Sequence, residues 1–231
     1  MPALLALADP ARFALAPVHS AAALAFLTLT ALLLVSDLRQ PRRFLWTLTR
    51  PQWRSWLVRG AYVLTAFGGL LTLHLLSGMG VLPWRLPAAV VGFTALVAVA
   101  SAVYTAFLFG QAKGRDLWQS SLLGPHLVVQ ALIGGAALFA TGWLIALLPL
   151  NGLLVAGEVW GRHATEDARR AAHLIQDDPR FSAGVLAMGH LLPLALLWWG
   201  LAPGVSAVLA LFGLLVWEHL YVQAPQQIPL A

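Results

Sequence analysis

Long apolar segments separated by short polar ones make up most of this chain. The apolar segments lie near residues 17–36, 56–77, 87–110, 121–140, 143–160, 182–200 and 203–222. Each approaches the length of about 20 residues that a helix needs to cross a hydrocarbon core of about 30 Å. The longest polar segment, residues 161–181, has helix-forming residues at 164–175 and predicts a short surface helix between two spans. The pattern predicts an all-α fold, a polytopic transmembrane helical bundle of about seven helices, with residues 1–231 as a single integral membrane domain.

The segment between residues 121 and 161 leaves the number of helices open. It contains either two spans joined by a tight hairpin at Thr141-Gly142, or one long helix with a broken appendage at Pro149 and Asn151-Gly152, which makes six helices in all. Charge favours seven, because the basic residues then gather on one face and by the positive-inside rule that face is cytoplasmic. The basic face receives Arg39, Arg42, Arg43, Arg50, Arg54, Arg59, Lys113, Arg115, Arg162, Arg169, Arg170 and Arg180, and the other face receives Arg12 and Arg85.

Composition narrows the class of protein. The chain is 60% apolar and 10% charged with a mean hydropathy of +0.79, whereas soluble domains carry about 25% charged residues. The net charge of +5 does not indicate nucleic-acid binding, because the basic residues lie in short loops beside apolar spans, where topology and lipid headgroups account for them. Cysteine is absent, so this chain holds no thiolate-ligated iron–sulfur cluster. The first span ends in Asp37 and arginines rather than a small-residue cleavage site, which predicts a retained helix and not a signal peptide.

Ionisable residues inside the spans are the main chemical signal. Such groups are costly in a membrane and usually face a protein interior or a functional cavity. A quinone headgroup needs such a place, since its two carbonyl oxygens require hydrogen-bond partners and side chains that exchange protons. The pattern therefore predicts a quinone site near the basic face. The polar groups predicted at similar depth on that face are Asp37, Tyr104, His126, Glu158, His190, Glu218 and His219, whereas the opposite face has His19 and His74.

Each of these residues also has a structural interpretation. Asp37 pairs with Arg39 or Arg43 in that reading, Tyr104 packs at the membrane interface, and His190 makes an interhelical hydrogen bond. His126 lies at a helix end, Glu158, Glu218 and His219 extend into the lipid headgroups, and His74 is structural. A haem b cytochrome stays open as an alternative, with His126 and His190 as axial ligands on the basic face or His19 and His74 on the other. A transporter is disfavoured by the lack of midplane charge and of visible inverted repeats.

Several segments resemble one family in the expected order. "SDLRQPRRF" at residues 36–44 is similar to the D-L-x-x-P-x-R-F signature of the NrfD/PsrC-type membrane anchors of complex iron–sulfur molybdoenzymes. "RSWLVRGAY" resembles the family's S-W-x-x-x-G segment, "YTAFLFGQAKGRDLW" its stretch from Y-T-G to R-P-x-W, and "LLGPHLVVQALIGGAAL" its small-residue helix. "YVQAPQQIPLA" is similar to its closing A-G-Q-x-P segment. The family's first span has no counterpart here, so either a neighbouring subunit completes the pocket or the site is altered.

The resemblance implies a subunit that is not catalytic by itself and exchanges electrons and protons with the quinone pool, menaquinone or ubiquinone, without haem. It implies two partners, a ferredoxin-like subunit with four iron–sulfur clusters and a catalytic subunit with a molybdenum or tungsten bis-pterin centre. It also implies the cytoplasmic membrane of a bacterium or archaeon. A purely structural anchor of such a complex is the alternative.

The resemblance also implies roles for particular residues. It places Asp37 and Tyr104 around the quinone, close to the nearest cluster. We expect Asp37 to be the proton-transfer carboxylate, Tyr104 a donor to a quinone oxygen, and Arg42 and Arg43 part of the docking surface for the cluster subunit. Three further residues are assigned to the quinone site on the depth argument alone, namely His126, Glu158 and His190. Arg43 is also predicted to be one of the cofactor-binding residues. No metal is expected to bind to this chain.

Overall fold

The described chain is helical throughout, as the sequence predicts. A computed structural model describes residues 17–36, 40, 46, 49–83 and 86–229, and no strand occurs among them. The α-helices are α1 Pro17–Ser36, α2 Trp56–Gly78, α3 Ala88–Phe109, α4 Leu123–Phe139, α5 Leu144–Trp160, α6 Glu166–Asp177, α7 Leu192–Trp198 and α8 Pro203–Gln223. A π-helix, Phe181–Leu191, leads directly into α7. Short 3-10 turns lie at Asp116–Gln119, Thr141–Trp143 and Ala224–Gln227.

The apolar helices agree with the predicted spans. Among the described residues, six helices are long and apolar enough to cross a membrane, and the apolar helix α4 has 17 residues. The hairpin interpretation of residues 121–161 is confirmed, because the turn Thr141–Trp143 separates α4 from α5. The alternative is wrong, since α5 continues through Pro149 to Trp160. A chain with six to seven apolar helices of this kind is a multi-pass membrane protein.

Contacts divide the chain into two compact units, residues 1–108 and 109–231, and each is described by itself. In the first unit, α1 packs against α2. The buried His74 joins α2 to α3, where its Nε2 lies 2.9 Å from Thr94 Oγ1. Thr94 donates its own hydrogen to the carbonyl of Val90 at 2.8 Å, so the histidine is the donor and its Nε2 carries the proton. His74 therefore has a structural role, as the sequence predicts, because it links α2 to α3 by a buried hydrogen bond.

The second unit packs α4, α5, the π-helix, α7 and α8 around one apolar core. Its most buried members are fully inaccessible, such as Ile133, Leu144 and Val155, each 0% exposed. The π-helix and α8 cross at two glycines, where a Cβ built on Gly189 would lie 2.6 Å from the Cα of Gly213. Small residues at such a crossing let two backbones touch, so this contact sets the distance between the two helices.

The connecting helix α6 packs across one end of the second unit. The Thr165 hydroxyl caps it by accepting from the Ala168 amide at 3.2 Å, which satisfies one free donor of the first turn. Its buried face, Ala168, Ala171, Ala172 and Ile175, lies on the turns Asp116–Gln119 and Ala224–Gln227. The predicted surface helix is confirmed. We call this end, formed by residues 110–122, 161–180 and 224–229, the loop end.

Side chains tie the segments of the loop end together. Arg115 Nη1 donates to the carbonyls of Pro225 at 2.8 Å and Ile228 at 2.7 Å. The Trp118 indole donates to the carbonyl of Tyr221 at 3.1 Å. Arg115 and Trp118 come from one loop, whereas their acceptors lie in the last turn of α8 and in the segment that follows it. These hydrogen bonds therefore fix the loop against the C-terminal part of the chain.

Candidate functional site

The residues predicted to form the site fall into three groups. Asp37, Arg42 and Arg43 lie outside the described residues. Tyr104 belongs to the first unit. The second unit contains His126, Glu158 and His190, which it brings together in one cluster.

The ring of Tyr104 packs on a glycine of the neighbouring helix. A Cβ built on Gly60 of α2 would overlap the tyrosine ring and lie 3.2 Å from its Cζ. Any residue other than glycine at position 60 must therefore displace the ring. Gly60 comes from the segment "RSWLVRGAY" and Tyr104 from "YTAFLFG", so two of the segments that carry the family resemblance meet in this contact.

An aromatic and cationic group lies beside this contact. Trp56, the first residue of α2, stacks on Phe107 of α3 with ring centroids 4.2 Å apart. The Arg59 guanidinium lies 4.6 Å from the centre of the Trp56 ring, and its Nε donates to the carbonyl of Trp53 at 2.6 Å. Tryptophan and arginine with these contacts are typical of the membrane–water interface. Tyr104, one turn of α3 from Phe107, therefore lies near an interfacial end of the first unit.

In the second unit, His126 of α4 faces Glu158 of α5 in the buried space between the two helices. His126 Nδ1 and Glu158 Oε1 are 3.8 Å apart, and each side chain is 1% exposed. Neither the two ring nitrogens nor the two carboxyl oxygens have a hydrogen-bond partner in the part of the chain that the structure describes. Leaving one buried polar group unsatisfied costs about 1–3 kcal/mol, and more for a charge. Glu158 therefore does not extend into the headgroups, and the pair is costly as it stands.

Aromatic side chains close the pair off from the loop end. The Trp217 ring of α8 lies 5.3 Å from the His126 ring and 5.5 Å from that of Tyr221. Phe181 packs on Trp217 with centroids 6.4 Å apart, and all three aromatic residues are at most 2% exposed. This wall excludes bulk water, so charges inside it interact more strongly than in solvent.

His190 has a fixed hydrogen-bonding pattern. Its Nδ1 lies 2.8 Å from the carbonyl of Val185, which can only accept, so Nδ1 carries a proton. Its Nε2 lies 3.0 Å from Asn151 Nδ2 and therefore accepts from the amide. The ring is held neutral as the Nδ1–H tautomer, which agrees with the interhelical hydrogen bond of the structural interpretation.

Two substitutions at Asn151 are expected to differ in their effect on the protonation of His190. Asn151→Asp replaces the donor with an acceptor, so we expect protons on both His190 nitrogens. Asn151→Leu leaves Nε2 without a donor, so we expect a single ring proton and a loss of about 1–3 kcal/mol of stability. Nitrogen NMR of the protein labelled at histidine measures both outcomes. An unchanged His190 signal in Asn151→Asp would show that the two side chains are not coupled.

Sequence reasoning missed the neutral members of the cluster, because it considered ionisable groups and tyrosine within the spans. Gln130, one turn after His126, is buried on the same helix. Asn151 lies two turns before Glu158 on the same helix, and the spacing of seven residues was the signal that could have identified it. Of the other predicted polar groups on α8, Glu218 is half-buried and His219 is exposed.

Many of the basic residues at the loop end are paired. Arg180 donates to the Asp178 carboxylate at 2.7 Å, and this hydrogen bond holds the pKa of Asp178 below its ordinary value. Arg169 lies 2.7 Å from Glu166 and lowers the pKa of that carboxyl in the same way. These pairs are exposed and contribute little to stability, but they reduce the net positive charge of this surface.

Comparisons with known proteins identify the family. The family model described as "Polysulphide reductase, NrfD" matches residues 9–148, which is 140 of the 231 residues. No curated protein matches the chain. The matched region includes Gly60, Tyr104 and His126, whereas Glu158 and His190 lie beyond it. Because the match covers more than half of a chain with six to seven apolar helices, this multi-pass membrane protein belongs to the NrfD family.

Proposed function

We propose that this chain is the quinone-reactive membrane anchor of an iron–sulfur/molybdopterin oxidoreductase complex. It exchanges electrons and protons between a partner iron–sulfur subunit and the quinone pool of a bacterial or archaeal cytoplasmic membrane, with the basic face on the cytoplasmic side. Membership of the NrfD family and the multi-pass architecture support the anchor role. The main observation in support of the quinone site is the packing of the Tyr104 ring on Gly60. This contact joins two of the segments on which the resemblance rests.

Each residue has a definite task in this proposal. A quinone takes up two electrons and two protons on reduction, so its site needs side chains that donate hydrogen bonds and supply protons. Tyr104 donates its hydroxyl hydrogen to a quinone oxygen, and the contact with Gly60 orients the ring. Asp37 is the proton-transfer carboxylate, and Arg42 and Arg43 contribute to the surface on which the cluster subunit docks.

The electron-carrying centres are assigned to the partners. The chain has no cysteine, and nowhere in the described ranges do three His, Asp or Glu side chains gather as metal ligands. The proposed partners are a four-cluster ferredoxin-like subunit and a molybdenum or tungsten bis-pterin catalytic subunit. Electrons then pass directly between the nearest partner cluster and the quinone.

Tyr104→Phe in the purified complex tests this assignment. The substitution removes the hydroxyl but keeps the ring that packs on Gly60, so assembly is expected to be normal. Quinone-linked turnover is expected to fall by about 10²-fold, the usual contribution of one positioned proton donor. Wild-type turnover in both Tyr104→Phe and Asp37→Asn would refute the proposed site. An assembled wild-type complex that neither binds a quinone analogue nor turns over would instead identify a structural anchor.

Gly60→Val tests whether the position of the tyrosine ring matters. The new side chain occupies the space of the Tyr104 ring, so we expect a higher KM for quinone and a lower kcat. Gly69→Val is the matched control, because a Cβ on Gly69 of the same helix meets no atom within 4 Å. Steady-state assays with a short-chain quinone compare the two variants, and equal effects would show that the ring contact has no role.

A further inference from the structure

The His126–Glu158 pair combines two features that a purely structural contact does not need. Both side chains carry ionisable groups, and both are almost fully buried, with the four polar atoms unpartnered among the described residues. Buried polar groups are usually paired with protein or ordered water, and an exception calls for an explanation.

We propose that His126 and Glu158 together store one exchangeable proton inside the second unit, and that Glu218 connects this store with the loop end. The proposal deepens the proposed function, which requires a supply of protons. It does not depend on a quinone being bound, because the store is a property of these side chains alone.

The store holds the proton in two forms. In one, Glu158 is a carboxylic acid and His126 a neutral imidazole. In the other, the Oε1–H bond of Glu158 breaks and an Nδ1–H bond of His126 forms, which gives a carboxylate and an imidazolium with no transfer of electrons. Release of the proton leaves a carboxylate beside a neutral ring. The distance of 3.8 Å exceeds the usual N–H···O range of about 2.7–3.2 Å, so transfer requires a small approach of the side chains or one bridging water.

Two titratable groups near the pair are already engaged in hydrogen bonds. On the π-helix, His190 has both nitrogens engaged by Val185 and Asn151. On α8, the Tyr221 hydroxyl donates to the carbonyl of Leu117 at 2.9 Å. Neither is free to pass a proton on without breaking a hydrogen bond.

Glu218 differs from these groups. It is half-buried, and it directly follows Trp217, whose ring lies 5.3 Å from that of His126. The charged side chains of the ion pairs on α6, which packs on α5, are 42–62% exposed. Glu218 is therefore the titratable side chain that links the buried pair to the polar end of the unit.

The store also extends beyond what the family match covers. His126 lies inside the matched residues 9–148, whereas Glu158 and Glu218 come from α5 and α8 after residue 148. The pairing is thus a feature of how α4, α5 and α8 meet in this chain.

Infrared difference spectroscopy of the full chain in lipid nanodiscs tests the proposal without quinone or partners. The sample is titrated through and beyond the range in which free Glu and His ionise, about pH 4 to 7. The wild type is expected to show the C=O stretching band of a buried carboxylic acid and a matching change in an imidazole ring band. Glu158→Gln should lose both changes. His126→Gln should keep the carboxyl band at a shifted frequency, because the neighbouring base is gone.

Two further variants identify the route and control for general effects. Glu218→Gln should keep the band but slow proton uptake after a pH jump. Glu166→Gln removes an exposed carboxyl of α6 that pairs with Arg169, and it should leave the band and the uptake rate unchanged.

Three results would overturn the proposal. They are a wild-type spectrum without a buried carboxyl band, a band that persists in Glu158→Gln, and uptake in Glu218→Gln as fast as in the wild type. The first needs no variant, so poor folding of a variant does not leave the question open. A failure of the proposed quinone site can be distinguished from a failure of the proton store. In that case the wild type would not bind a quinone analogue but would still show the carboxyl band.

Discussion

The double variant His126→Leu/Glu158→Met is expected to be at least as stable as the wild type and to lose quinone-linked turnover. The reason lies in the buried pair, whose four polar atoms have no hydrogen-bond partners among the described residues. Replacing a buried ionisable pair with apolar residues of similar volume is often neutral or stabilising by about 1–4 kcal/mol. The loss of turnover follows from the proposed role of the pair as the source of protons.

The single variants are expected to behave differently from the double variant. His126→Leu leaves the Glu158 carboxyl buried against apolar atoms, which costs about 3–5 kcal/mol when the group is charged. Glu158→Met leaves an unpaired imidazole and costs about 1–3 kcal/mol. Thermal unfolding of all four proteins in one detergent gives the coupling between the two sites. A double variant less stable than both single variants would show that the pair is needed for the fold.

Gly213→Ala is expected to destabilise the second unit strongly, because its new methyl group meets the Cα of Gly189 on the π-helix. This obstacle is backbone and cannot rotate away, so the two helices must separate. Overpacking of this kind costs about 1–3 kcal/mol and occasionally more. We expect the upper end of that range, with further loss for Gly213→Val. His190, the neighbour of Gly189, would shift with the π-helix, so its hydrogen bond to Asn151 should weaken as well.

Gly134→Ala is the matched control for this prediction. Gly134 lies inside α4, and a Cβ there meets no atom within 4 Å, so the substitution should be neutral or slightly stabilising through the better helix propensity of alanine. Gel filtration of fluorescently tagged protein after heating compares the two variants. If Gly213→Ala and Gly134→Ala melted alike, the helices would have room at their crossing that the structure does not show.

The positions of the spans follow from the sequence. Helices α1, α2, α3 and α8 begin or end within one or two residues of the predicted limits, because a run of about 20 apolar residues has few alternatives in a bilayer. The hairpin at Thr141–Trp143 and the surface helix α6 were also predictable, since glycine and a polar segment interrupt the apolar pattern there. The depth of His126, Glu158 and His190 along their helices follows from counting residues at about 1.5 Å each.

The partners of those side chains follow from the tertiary structure. Lipid and protein interior are both apolar, so the pattern of a membrane helix does not tell which face turns inward. Depth alone could not reveal that His126 faces Glu158, that Asn151 fixes the proton of His190, or that Gly60 receives the Tyr104 ring. Each contact depends on the rotation of two helices about their axes and on the side-chain rotamers that packing selects. The sequence by itself thus determined which polar groups enter the membrane and how deeply, and only the packing of the helices decided which of them meet.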